Sequence, residues 1–204
     1  MKIFSRTEPR TDLWTETHPR FGQIHYARKP KLKRMHLQVI PFQGVMVSFP
    51  GRSSPASVQN FVEGKTEWIS KALQRSKQIE ERSLAFFPTI KSLEEKTVRD
   101  GLSTRIEQLA TVHGFEYNTL SFRNQRSRWG SCSARNNISL NKNLFHLPDD
   151  LRDYVLLHEL AHTREKNHSR QFWRILYDIL GQAETVKRRQ KLREFEYLFY
   201  PPHA

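Results

Sequence analysis

The sequence predicts an α+β protein in which two small antiparallel sheets are each followed by helices, rather than strands and helices in strict alternation. Three patterns predict it. Apolar and polar residues alternate over 35–40, the period of a half-buried strand, and the short, mostly apolar run 45–49 follows a turn. Apolar residues recur at near-helical spacing through Val58, Phe61, Val62, Ile69 and Leu73, and through Leu102, Ile106, Leu109 and Ala110. Short strand-like runs then return over 116–141 before a last series of helical patterns.

Residues 1–20 are polar, carry Pro9 and Pro19 and show no clear period, so a poorly ordered arm is expected. Residues 21–90 read as an N-terminal β-meander and a long helix. Strands are expected at 24–27, 35–40 and 45–49, with Gln43-Gly44 as a turn and an acid-free basic loop over 28–34. Ser54-Pro55 opens the helix, serine as N-cap and proline at the first helical position, and the pattern runs to about Ser76. Residues 91–204 form the remaining body. Its first helix spans about 92–113, and Gly114 is a good residue to end it. Strands at 116–123, 127–133 and 137–141, with turns at Asn124-Gln125 and Arg135-Asn136-Asn137, give a second three-stranded antiparallel sheet. A helix over 149–163 follows, Asp149 and Asp150 complementing the positive end of its dipole. Helices at 169–180, ending at Gly181, and at 184–195 precede an aromatic stretch at 197–200.

The helix over 149–163 carries His158-Glu159-Leu160-Ala161-His162, and a third histidine, His168, stands six residues on. Histidines four apart lie one turn apart on one helix face and can grip a single zinc ion. Glu159 occupies an adjoining part of the surface, where a carboxylate reaches a water on the metal without being a ligand. A catalytic zinc takes three protein ligands and keeps one position open. His168 is the natural third donor, because Asn167 and Ser169 let the chain turn back towards the helix. Glu165 is its rival: on an unbroken helix it would stack on the His158/His162 face. Such a ligand set has poor tetrahedral geometry, and a role away from the metal suits Glu165 better. His146 is the remaining histidine nearest in sequence to this helix. The others are scattered without ligand spacing.

Composition bounds the function. The chain has 204 residues, 37% apolar, and a net charge of +13, which makes an anionic partner plausible. Cys132 is the single cysteine, so no intrachain disulfide forms and a reducing compartment, hence a cytoplasmic protein, is expected. No run approaches a membrane span, and the N-terminus lacks a signal-peptide apolar region.

Several stretches taken together carry a family resemblance. They are Arg126-Ser127-Arg128-Trp129-Gly130-Ser131-Cys132-Ser133, Ile138-Ser139-Leu140-Asn141, the run from Tyr154 through His158 and Glu159 to His162, and Asn167-His168-Ser169-Arg170-Gln171-Phe172-Trp173. In this order they resemble the YgjP-like zinc metallopeptidases, small zincins related to the SprT-like and WLM groups. Lys65-Thr66-Glu67-Trp68-Ile69 also resembles the family's N-terminal helix. The resemblance implies a zincin-like core, a small antiparallel sheet beside a metal-binding helix, with zinc held by His158, His162 and His168 and Glu159 as catalytic acid/base. Zinc would then acidify a water and polarise a peptide carbonyl while Glu159 moves the proton.

A sheet-edge strand beside the metal helix is expected to hold a protein or peptide substrate, and the 126–133 strand is the candidate, with Arg128, Trp129 and Gly130 as contacts. Trp129 can equally be a core anchor. A second function class is a nucleic-acid-associated zinc protein acting on, or docking to, proteins bound to DNA or RNA. Its motive is local charge: Arg123, Arg126, Arg128, Arg135 and Lys142 stand between Tyr117 and Pro148 without one acidic residue. A third is a structural zinc fold, which would fill all four metal positions and have no use for Glu159.

Overall fold

The computed structural model describes residues 12–89 and 94–202. The chain is α+β and falls into two compact units divided between Leu84 and Ala85. The division precedes the expected one near residue 90, because Phe86 and Phe87 already pack against the core of the second unit.

The first unit holds a four-stranded sheet of order β1-β2-β4-β3, built from β1 (Asp12–His18), β2 (Gly22–Arg28), β3 (His36–Ile40) and β4 (Gly44–Phe49). β1 corrects the sequence reading, which assigned these residues to the arm; residues 1–11 lie outside the described residues. Its alternation escapes a hydrophobicity reading because Leu13 is 72% exposed, while Trp14, on the other face, stacks on Tyr26 with ring centres 5.3 Å apart. The sheet is also mixed rather than a meander. β2 runs parallel to β4, and β3 runs antiparallel to β4. Burial explains the order. Val45, Val47 and Phe49 are almost wholly buried, which suits β4 to the centre, whereas His36 and Gln38 are exposed and leave β3 on an edge.

Ser54 caps α1 (Pro55–Glu63) as expected, its hydroxyl accepting from the Ser57 amide at 3.2 Å. The single long helix is in fact two. The chain breaks at Gly64 and Lys65, and α2 (Thr66–Phe86) continues well past Ser76. Val58, Val62 and Ile69 join Ile24, Val45 and Phe49 in the core of this unit.

The second unit begins with α3 (Glu95–His113), ended by Gly114 in the left-handed region at φ 65°. Its sheet contains β5 (Thr119–Arg123), β6 (Gly130–Cys132) and β7 (Asn137–Asn141) in the order β5-β7-β6. The expected antiparallel sheet is again mixed: β5 and β7 are parallel, β6 and β7 antiparallel. The reason lies in the segment read as a hairpin turn after β5. Asn141, fully buried on β7, donates from Nδ2 to the carbonyls of Gln125 (2.7 Å) and Arg128 (3.1 Å), and its amide donates to Trp129 O at 2.8 Å. These bonds hold residues 125–129 as a loop, so β7 lies between β5 and β6.

Five helical segments complete the unit: a 3₁₀ segment, Lys142–His146, then α4 (Asp149–Ala161), α5 (Arg170–Leu180), α6 (Gln182–Lys191) and a second 3₁₀ segment, Leu192–Phe199. Leu151, Leu156 and Leu160 of α4 are fully buried among Leu102, Ile106 and Leu140. Each such side chain contributes about 1.5–3 kcal/mol. Arg105 of α3 forks onto Asp153 of α4 through bonds of 2.8 and 2.5 Å, which fixes the two helices against each other.

Candidate metal centre

The burial of α4 decides where its histidines stand. Leu151, Val155 and Leu160 turn one face into the core, so His158 is half-buried and His162, which caps the helix, is 9% exposed. The chain then leaves the helix, and Ser169 opens α5 by accepting from the Phe172 amide at 3.3 Å. Two cations hold the connecting loop. Arg164 donates to the carbonyls of His113 (3.1 Å) and Gly114 (2.6 Å) at the end of α3 and lies 4.2 Å over the Phe115 ring. Lys166 donates to Ser133 O at 2.9 Å and to Asn136 Oδ1, both just after β6.

This loop carries His168 back to the helix. One ligand atom from each of His158, His162 and His168 lies within 4.8 Å of the others. His158 Nε2 and His168 Nε2 are 3.0 Å apart. Nitrogens on one tetrahedral zinc at roughly 2.0–2.1 Å would be about 3.4 Å apart, so the triad is close to the required spacing. Phe172, fully buried, sits against all three imidazoles at ring-centre distances of 4.8, 4.4 and 4.8 Å. His162 Nδ1 lies 3.0 Å from Glu165 O, so this nitrogen donates and Nε2 is left with its lone pair. Glu165 thus serves through its backbone. Its carboxylate accepts from the Asn167 amide at 3.3 Å and is not part of the triad.

The electrostatics suit a cation. Burial, with the neighbouring imidazoles and Arg189, pushes His158 down to about 3, and burial also lowers His162. Both rings are therefore neutral near pH 7, the form that ligates. Glu159 is 5% exposed and its Oε2 is buried without a hydrogen-bond partner. Burial pushes this carboxyl up to about 8, against the opposing charge of Arg128. A buried carboxyl group whose Oε2 lacks a partner, beside the two neutral rings of His158 and His162 and the nearby His168, fits a divalent ion and its water.

The three expected substrate contacts fare differently. Trp129 packs against the core, its ring centre 4.3 Å from that of Phe199 in the C-terminal 3₁₀ segment. Gly130 faces Glu159: a Cβ built there would stand 2.6 Å from Glu159 Cγ and 2.8 Å from Cδ and Oε1. Arg128 is exposed on the loop held by Asn141.

The expected arginine cluster is divided. Arg123 pairs with Asn141 at one end of β7, whereas Arg135 lies before Asn137 at the other end. Four strand steps separate these ends by about 13 Å, and no contact among these arginines favours the nucleic-acid reading over the peptidase one.

Sequence reading missed Trp173, Arg189 and the Asn141 clamp. Trp173 stacks on His168 at 5.8 Å, and the exposed Arg189 of α6 lies 4.8 Å over the Trp173 ring. The tail offered no motif for Arg189. A hydrophobic indole directly after Phe172 was the one available signal for Trp173.

Among solved structures, the chain is similar to the metallopeptidase zymogen abylysin of Pyrococcus abyssi, at 19% identity and a TM-score of 0.43, over 46% of this chain and 93% of that one. It is likewise similar to the metallopeptidase zymogen jannalysin of Methanocaldococcus jannaschii, at 20% identity and a TM-score of 0.42, over 46% of this chain and 95% of that one. No curated protein matches it significantly. The YgjP-like metallopeptidase domain matches residues 84–195, which include α3, the second sheet, the triad and α6. That match spans more than half of the sequence, and the chain belongs to the YgjP-like metallopeptidase family.

Proposed function

We propose that the chain is a zinc-dependent endopeptidase, with His158, His162 and His168 as metal ligands and Glu159 as general base. The observation that carries this reading is the convergence of three imidazoles near a buried carboxyl group whose Oε2 lacks a hydrogen-bond partner, within the stretch matched by a metallopeptidase family. When bound, zinc supplies Lewis acidity, lowering the pKa of a water and polarising the peptide carbonyl. Glu159 accepts the proton of the attacking water and passes it to the leaving amine nitrogen. Glu165 O fixes the His162 ring through Nδ1, and Phe172 and Trp173 hold the imidazole planes. Among the described residues β6 pairs on one side only, with β7, and its outer edge receives an extended peptide. Arg128 stands next to that edge. No described helix is long and apolar enough to cross a membrane. A cytoplasmic location rests on the single cysteine.

The test is Glu159→Gln, which keeps the side chain's size and removes the proton acceptor. Zinc content and folding stay intact, and hydrolysis of a peptide substrate falls by roughly 10²–10⁴-fold. His158→Ala loses both metal and activity. Full activity in Glu159→Gln would falsify the mechanism.

A further inference from the structure

We infer that Gly130 is a positioning residue for Glu159: the missing side chain at this point of β6 is the space in which the Glu159 arm is seated. The inference rests on the reading of Glu159 as the base, and it gives Gly130 a different role from the substrate contact expected of it.

Three observations lead to it. The first is the contact itself, since a Cβ on residue 130 would come within 2.6 Å of Glu159 Cγ and within 2.8 Å of Cδ and Oε1. The second is the backbone. The glycines with positive φ are Gly22, Gly44, Gly114 and Gly181. Gly130 is not among them, so an L side chain meets no conformational barrier there, and the demand for glycine is spatial. The third is that neither neighbour can withdraw. Gly130 is paired with Leu140, which is fully buried, and the preceding Trp129 carbonyl accepts from the Asn141 amide at 2.8 Å. Opposite it, Glu159 is 5% exposed on a helix whose flanking residues Leu157 and Leu160 are buried. An alanine methyl would therefore displace the carboxylate arm rather than the strand or the helix. The backbone of β6 acts as a wall that limits the rotamers of Glu159 and holds its carboxylate beside the triad. Substrate then meets the outer edge of β6, since the face above Gly130 is already filled.

The experiment is a double-mutant cycle on the full chain without metal, following thermal unfolding of Gly130→Ala in the wild-type and Glu159→Ala backgrounds. The expected result is a fall in Tm of roughly 3–8 °C in the wild type and of less than about 1 °C with Glu159→Ala, where the clashing arm is gone. Equal losses in both backgrounds overturn the inference. If Gly130→Ala does not fold in the wild type but folds with Glu159→Ala, the seat is supported; failure to fold in both refutes it. The zinc-loaded protein provides the second readout. Gly130→Ala keeps its zinc stoichiometry and its KM, while kcat falls about 10–100-fold. A change in KM alone returns Gly130 to the substrate wall. If the wild type cleaves no peptide, the proposed function fails, and the unfolding cycle still decides whether Glu159 is seated against Gly130.

Discussion

Replacing Asn141 tests whether one buried amide shapes the loop that leads into β6. Its side chain makes three hydrogen bonds: Nδ2 to Gln125 O and Arg128 O, and Oδ1 from the Asn143 amide at 3.0 Å. Asn141→Leu has similar volume and removes all three. At about 1 kcal/mol each the loss is ~3 kcal/mol. The two carbonyls lie on a loop with exposed residues and can turn to water, so the full penalty of orphaned buried groups is not incurred. For a chain of this size ~3 kcal/mol lowers Tm by roughly 6–12 °C. Asn141→Asp is the sharper probe. It keeps the acceptor for Asn143 but sets a carboxylate oxygen against two carbonyl oxygens, at the places now spanned by 2.7 and 3.1 Å bonds. Despite being closer in shape, it is expected to cost more than leucine, about 4 kcal/mol or above. Urea unfolding measures both variants. An aspartate no worse than leucine, with both within about 1 kcal/mol of wild type, refutes the clamp.

Two further outcomes are expected. Gly101 lies mid-helix in α3, where alanine normally adds about 1 kcal/mol of stability, but a Cβ there would meet Phe145 Cε2 at 2.8 Å. Gly101→Ala is therefore neutral or destabilising alone and stabilising together with Phe145→Leu; a plain gain in the single mutant, read by urea unfolding, contradicts this packing. For the metal, zinc at about 1,000 times its Kd raises stability by ~4 kcal/mol, and chelation reverses it. His168→Ala sharply reduces this Tm increase while Glu165→Ala retains it, and the opposite ranking would make Glu165 the third ligand.

How much of this was legible in the sequence depends on the range of each determinant. Ser54, Gly114 and Ser169 act on neighbouring residues, and all three cap their helices as read. The motif His158-Glu159-x-x-His162 is likewise local, so its one-turn spacing followed from helix geometry alone. Strand order was not legible. It depends on which strand finds two partners, and the parallel β2–β4 and β5–β7 pairings join segments separated by intervening chain. β1 was hidden because Trp14, Glu16 and His18 share its inward face, a mixture that no hydrophobic period reveals. In the site, Gly130 was read as a substrate contact, because the sequence does not show that the Glu159 side chain of α4 lies against it.

The loop between His162 and His168 has a consequence for how the centre acquires its ion. Arg164 anchors it to the end of α3, Lys166 anchors it to the turn after β6, and Glu165 O orients the first ring that the loop leaves behind. These bonds run between protein groups, so on the proposed reading the fold itself would hold the three imidazoles in place. In a zinc finger, capture and folding are one event, and the metal must supply the entropy of ordering its own ligands. Here that entropy is met by the fold, and little is left to lose when an ion arrives. On the proposed reading of the triad as the metal site, folding and metallation would be separate steps, and one divalent ion could be exchanged for another without the chain unfolding in between.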